Sequence, residues 1–181
     1  MNNWYTEISP QLETQLQPIK LAVFDVDGIL TNGQLLFTAD GHEVKQFNTL
    51  DGLGIKLLQR AGIETAIITG RRSPQVEQRA QALGITWLEQ GREDKLTALE
   101  ELWQRSGHSA ESTAYIGDDL PDLGAIRAAR FGACVPNGHP LVQQHADWVT
   151  HRRGGEGAGR EFCELILQAQ GKLNALLESY L

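Results

Sequence analysis

Residues 19–30 read IKLAVFDVDGIL, an almost unbroken apolar run from Ile19 to Phe24 that ends in Asp25-Val26-Asp27-Gly28. A strand with one wet face alternates apolar and polar residues, whereas a strand buried on both faces stays apolar. The run therefore predicts a central strand of a parallel sheet, with carboxylates at its exit. Glu64 to Thr69 (ETAIIT) reads the same way. Short strands are expected at Ile85 to Leu88, Thr113 to Ile116, Gly132 to Val135 and Trp148 to Thr150.

Helical segments fill the gaps. Asp51 to Ala61 predicts a helix stopped at Gly62, with Leu53, Leu57 and Leu58 on one face. Ser73-Pro74 opens a helix that Gly84 ends. Glu93 to Arg105, Leu120 to Ala129 and a short turn at Leu141 to His145 follow, then one long helix from Arg160 to Tyr180. Gln34 to Thr38 and His42 to Phe47 flank Ala39-Asp40-Gly41, whose Asp-Gly marks a hairpin turn. Strand alternating with helix argues for an α/β fold, a doubly wound, Rossmann-like parallel sheet with a protruding hairpin. The expected division is a leader over 1–18 and one domain over 19–181. Within it lie the hairpin at about 34–47 and a glycine-rich tail loop at about 154–159.

The 181 residues, 41% hydrophobic and 22% charged, suit one packed domain with an ordinary water-facing surface. With 16 Lys plus Arg against 23 Asp plus Glu, the net charge is −7. That balance argues against nucleic acid as a partner. No apolar run is long enough to span a bilayer, and Met1 to Pro18 lacks the pattern of a signal peptide. Two cysteines, Cys134 and Cys163, exclude a disulfide framework and fit a reducing cytoplasm. Both read as buried apolar groups, and Trp87, Trp103 and Trp148 as packing anchors. The five histidines lack metal-ligand spacing. Gly155-x-Gly157 is a poor dinucleotide loop, since no strand closely precedes it.

Ligands of open α/β sheets bind beyond the carboxyl ends of the strands. Those ends supply Asp25 and Asp27, Thr69-Gly70-Arg71, and Gly117-Asp118-Asp119 with Asp122 behind, while Lys95 stands before the helix that follows the third strand. Asp and Gly are common turn residues, so no single cluster carries weight alone. Together they would gather several carboxylates, a hydroxyl and a lysine in one crevice. Carboxylates that close repel one another unless a cation sits among them, and all-oxygen ligands suit Mg²⁺.

In order and type these motifs resemble the haloacid dehalogenase superfamily of phosphohydrolases, through LAVFDVDGIL, AIITGR, Lys95 and YIGDDLPD. The resemblance implies catalytic roles for Asp25, Asp27, Thr69 and Lys95. Asp25 would be the nucleophile that forms an aspartyl-phosphate, Asp27 the acid and base, and Thr69 and Lys95 the phosphoryl-binding groups. Mg²⁺ would be held by Asp25, Asp118 and the backbone carbonyl of Asp27. Asp119 and Asp122 would be outer groups, Asp122 being equally readable as a helix-start carboxylate. The hairpin and one helix fill the span from Asp27 to Thr69, and a helix and a strand that from Thr69 to Lys95. No cap domain fits.

Within the capless branch, DGILTNGQL, FNTLDGLGIKLL, IITGRRSP, GITWLEQG and GGEGAGREFCELILQAQGK are similar to segments of the 3-deoxy-D-manno-octulosonate 8-phosphate phosphatases, from about Ile19 to Lys172. This implies a phosphomonoesterase acting on a phosphorylated sugar acid in lipopolysaccharide precursor synthesis. The substrate contacts would be Asp27, Asn48, Thr49, Leu50, Asp51, Gly52, Lys56, Arg71, Arg79 and Lys95. The family also implies a homotetramer, with hairpins forming a central barrel and the glycine-rich tail reaching a neighbour's site. An exposed apolar hairpin edge at Leu35-Leu36-Phe37 fits such pairing. Three positions depart from the pattern: Leu50 where many relatives carry Arg, Gly159 for an aliphatic residue, and Gly124 for Pro. A related ester, the 9-phosphate of an acylneuraminate, is the nearest alternative substrate. A signalling receiver domain is disfavoured, since its phospho-accepting Asp would follow the third strand, and a non-catalytic scaffold would not need Asp25, Asp27, Thr69, Lys95 and Asp118 together.

Overall fold

The computed structural model describes residues 8–181. Six strands form one parallel sheet: β1 (Leu21–Phe24), β4 (Glu64–Thr69), β5 (Trp87–Gln90), β6 (Thr113–Ile116), β7 (Phe131–Cys134) and β8 (Trp148–Val149), in the order β5-β4-β1-β6-β7-β8. β1 pairs on one side with β4 and on the other with β6, Phe24 standing opposite both Ile67 and Ile116. The order reverses at β1, so Asp25 emerges at the switch point where such sheets bind ligands. The doubly wound expectation holds.

Alternation along β1 explains its unbroken apolar run. Ala22 and Phe24 join one core layer, Leu21 and Val23 the other, all with no exposed surface. The first layer is covered by α2 (Thr49–Arg60), α3 (Pro74–Leu83) and α7 (Ala158–Ala169). The second is covered by α4 (Lys95–Ser106), α5 (Leu123–Ala128) and α6 (Pro140–His145). Phe162 of α7 meets Phe24 edge-on at 5.5 Å and stacks on Phe131 at 6.3 Å. Gly54 lets α2 approach α7 closely, since a Cβ there would lie 3.0 Å from Cα of Arg160.

The hairpin forms where expected, β2 (Leu36–Phe37) against β3 (Glu43–Val44), apart from the main sheet. Gly84 ends α3 in the left-handed region, φ 67°.

Four expectations change. Leu53 is exposed, and Ile55 joins Leu57 and Leu58 on the buried face of α2. The segment from Leu120 opens as a single tight turn, Leu120–Asp122, before α5 begins. The long terminal helix is two helices, α7 and α8 (Leu173–Glu178), broken at Gly171 with φ 68°. The latter part of the leader is ordered as α1 (Pro10–Leu16): Leu16 is buried, and Gln170 Nε2 donates to the carbonyls of Leu16 and Ile19 at 3.1 and 2.8 Å. The earlier leader residues lie outside those described.

Candidate active site

Three strand exits build the centre. The Asp25 N–H donates to Ile116 O at 3.0 Å, which continues the β1–β6 ladder one residue past the strand and fixes Asp25 at the sheet edge. The chain then turns through Val26–Leu30, closed by Thr31 N–H on Val26 O at 3.0 Å. Gly28 adopts φ 102°, open to glycine but strained for other residues. A Cβ there would also lie 2.0 Å from Asp118 Oδ2, so this glycine lets Asp118 close over the first loop. Thr69 ends β4 and is 2% exposed.

Lys95, at the start of α4, is 5% exposed, and its ammonium lies 2.9 Å from Asp25 Oδ1 and 2.7 Å from Asp122 Oδ1. Asp122 Oδ1 also accepts from Tyr115 Oη at 2.8 Å, and its Oδ2 from the N–H groups of Asp118 and Asp119, both at 3.3 Å. Asp122 is thus an anchor for the lysine and for the loop that carries Asp118. Its alternative reading, a carboxylate at a helix start, is also met, because it closes a reciprocal cap with Asp119.

Burial, then repulsion from Asp122, pushes the Asp25 carboxyl well above the usual carboxylate range, against the pull of Lys95. The same two causes push Asp118 up to about 7. Lys95 is pulled down by burial, but Asp25 and Asp122 outweigh this and raise it. A site with more buried carboxylate than ammonium favours a further cation. Asp25, Asp118 and Asp122 offer oxygens within 4.8 Å of one another, which fits a hard divalent ion. Asp122 already accepts four hydrogen bonds, so the free lone pairs belong to Asp25 and Asp118.

The remaining residues named from the sequence divide. Asn48, Asp51, Gly52 and Arg79 line one shallow pocket with Leu30 and Phe47. Within it the Arg79 guanidinium stacks 5.8 Å from the Phe47 ring and donates to Asn48 O at 3.3 Å. The Asn48 side chain caps α2 at Leu50 N–H, 2.9 Å, and donates to Gly155 O at 3.0 Å. Asp51 is 2% exposed and accepts from the N–H of Arg160 at 2.8 Å, capping the first turn of α7, where Gly157 has no side chain to do so. Burial pushes its carboxyl up to about 6 despite that bond. Thr49 and Leu50 open α2, and Leu50 is exposed near Gly157. Arg71 reaches the hairpin, 3.3 Å from Glu43. Lys56 does not join the others: its ammonium is close to Gly84, just before the amino end of β5, at the sheet edge opposite the carboxylates.

The glycine-rich segment lies on its own chain's first loop. Gly155 N–H donates to Ile29 O at 2.9 Å, Gly154 N–H to Asn137 Oδ1 at 2.9 Å, and a Cβ on Gly154 would lie 1.6 Å from Gly28 O. These contacts bring the segment against the loop that carries Asp27 and Gly28 in the same chain.

Sequence reading missed Lys45, whose ammonium donates to Asp27 Oδ1. The one signal for it was its spacing from Glu43, two residues apart in the strand expected over His42 to Phe47 and so on one face.

A family model described as haloacid dehalogenase-like hydrolase matches residues 88–159. The 3-deoxy-D-manno-octulosonate 8-phosphate phosphatase of Salmonella typhimurium is 43% identical over 170 residues, 94% of this chain and 90% of that protein. The crystal structure of the phosphatase of that name from Moraxella catarrhalis, in complex with magnesium ion, phosphate ion and KDO, is 47% identical. It superposes with a TM-score of 0.93 over 94% of this chain and 98% of the other. The Yersinia pestis phosphatase gives 41% identity and a TM-score of 0.92, over 96% and 94%.

Proposed function

We propose, from the premise that this chain belongs to the 3-deoxy-D-manno-octulosonate 8-phosphate phosphatases among the haloacid dehalogenase-like hydrolases, that it is a magnesium-dependent phosphomonoesterase. It hydrolyses 3-deoxy-D-manno-octulosonate 8-phosphate to the free sugar acid and inorganic phosphate, a step in lipopolysaccharide precursor synthesis. The observation that carries this is the convergence of Asp25, Lys95, Asp118 and Asp122 at the switch point of the sheet.

In this reading a carboxylate oxygen of Asp25 attacks phosphorus, and the bond from phosphorus to the ester oxygen breaks. The departing alkoxide takes a proton from Asp27, which leaves an aspartyl-phosphate. Water then attacks that phosphorus and gives its proton to Asp27. The bond to Asp25 breaks and phosphate leaves, so the net change is ester plus water to alcohol plus phosphate. Lys95, held by Asp25 and Asp122, offsets the negative charge that gathers at the phosphoryl oxygens, and Thr69 hydrogen-bonds one of them. Asp25, Asp118 and the Asp27 carbonyl would hold Mg²⁺, which when bound neutralises phosphoryl charge.

Substrate contacts are assigned to the Asn48–Gly52 segment, Arg71 and Arg79. Arginine suits a carboxylate bidentately, and the substrate carries one. Lys56 is left out because it stands at the other edge of the sheet. The homotetramer is part of the proposal, supported by the exposed Leu35, Leu36, Phe37 and Val44 of the hairpin. The glycine-rich tail reaching a neighbouring site is part of the same proposal, and in the single chain Gly154 and Gly155 already contact the first loop. Two buried free cysteines fit a cytoplasmic setting. Phosphate release tests the assignment. Asp25→Asn and Asp27→Asn are each expected to abolish turnover with the fold retained, and full activity in either would overturn it.

A further inference from the structure

Lys45 follows β3 on the exposed hairpin, yet its side chain is only 2% exposed. Its ammonium donates to Asp27 Oδ1 and lies 3.2 Å from Glu43 Oε1. The other Glu43 oxygen is 3.3 Å from the Arg71 guanidinium, and the Glu43 carbonyl accepts from Gln75 Nε2 at 2.8 Å. A lysine that served only to keep a hairpin hydrated would hold its ammonium in water. This one is desolvated between two carboxylates, an arrangement that persists only when geometry and charge are both matched. It joins Asp27 to β3, to the loop after β4 and to α3.

We propose that Lys45 is a positioning residue for the proton-transferring carboxylate, and that it couples the hairpin to the leaving-group half of the reaction; this rests on the phosphatase reading above. A carboxylate free to rotate would present either oxygen in many directions. Held by Oδ1 through a buried ammonium that is itself fixed by Glu43, Asp27 keeps its second oxygen in one direction for the departing alkoxide. Proton transfer in a transition state depends on that placement, within ordinary hydrogen-bond reach. The chain Arg71–Glu43–Lys45–Asp27 also means that anything fixing the hairpin, such as subunit assembly, fixes the acid.

The test compares two esters on the full chain with Mg²⁺. In 3-deoxy-D-manno-octulosonate 8-phosphate the leaving alkoxide needs a proton, whereas in p-nitrophenyl phosphate the phenolate departs without one. Rapid-quench measurement gives the rate of aspartyl-phosphate formation, and steady-state assays give kcat and KM. Lys45→Met is expected to slow aspartyl-phosphate formation from the sugar ester by about tenfold or more, with aspartyl-phosphate formation from the aryl ester changed by less than about threefold. Lys45→Arg, which keeps the cation, is expected to recover part of the loss. Equal losses in aspartyl-phosphate formation from both esters, or no such loss from the sugar ester, would overturn the proposal. If Lys45→Met does not fold, Glu43→Gln serves, since it leaves Lys45 in place and weakens its anchor. The same ester-selective loss at smaller size is expected there, and its absence overturns the proposal too. Wild-type protein inert on both esters would overturn the phosphatase reading itself.

Discussion

Lys95 Nζ lies 2.7 Å from Asp122 Oδ1, with the two side chains 5% and 1% exposed. Through that pair one carboxylate fixes both the lysine beside Asp25 and the backbone that carries Asp118.

Asp122→Asn therefore damages two things at once. Its amide nitrogen cannot accept, so either Lys95 and Tyr115 or the Asp118 and Asp119 N–H groups lose their acceptor. We expect a stability loss of about 1–3 kcal/mol, the cost of leaving a buried polar group unpaired, measured by denaturant unfolding. We also expect weaker Mg²⁺ activation in a metal titration of the rate. Unchanged stability and metal dependence would contradict the anchoring role.

Asp51 makes stability depend on pH. Burial raises its folded-state pKa to about 6, above the usual 3.8, so the folded protein binds this proton more tightly than the unfolded chain. The resulting stabilisation is complete below the unfolded value and is lost as pH rises through about 6. Relative to Asp51→Asn, wild type is expected to lose on the order of 3 kcal/mol between about pH 4 and pH 8, since each tenfold difference in proton affinity is worth about 1.4 kcal/mol. The difference in unfolding free energy between the two proteins, followed against pH, checks this. A difference that stays level, or moves the other way, would contradict it.

Gly154→Ala is expected to lift the glycine-rich segment off the first loop, because the new methyl would sit 1.6 Å from Gly28 O. Overpacking of this kind costs about 1–3 kcal/mol. Phosphate release should fall with it, since Gly28 carries the contact with Asp118. Gly62→Ala is the control: φ is +80° but nothing lies within 4 Å, so only backbone strain of about 1 kcal/mol is expected. Equal activity in the two variants would remove the glycine-rich segment from the account.

Charging the hairpin tests assembly. Phe37 is 61% exposed and Leu36 44%, so a Leu36→Ser, Phe37→Lys double variant loses only surface that a neighbour would cover. Sedimentation is expected to show wild type as a tetramer and the variant as smaller species. A fully active wild-type monomer would contradict the assembly.

How far the sequence could be read follows from where each signal originates. β1 and β4 were legible because burial on both faces leaves no room for polar residues, and the carboxylates at their exits follow from the topology. Asp25, Thr69 and Asp118 stand at or just past strand ends and were legible for that reason, whereas Lys95, at the start of α4, rested on the family motif. The break at Gly171 was signalled by a glycine after Gln170, but the apolar pattern on both sides looked continuous. The capping of α7 by Asp51 was not legible, since donor and acceptor are far apart in sequence and meet only when α2 lies on α7. Lys45 escaped because a hairpin lysine reads as solvated until the hairpin is seen folded over Asp27. Lys56 rests on the family resemblance alone, while its position on α2 turns its ammonium toward Gly84.

The most direct test is phosphate release from 3-deoxy-D-manno-octulosonate 8-phosphate, with Mg²⁺ and then with chelator, beside the 9-phosphate of an acylneuraminate and simple sugar phosphates. A strong preference for the octulosonate ester, lost on chelation and absent in Asp25→Asn, is the predicted result. Metal-dependent release from the other esters alone would contradict the substrate, and no release from any ester would contradict the reaction.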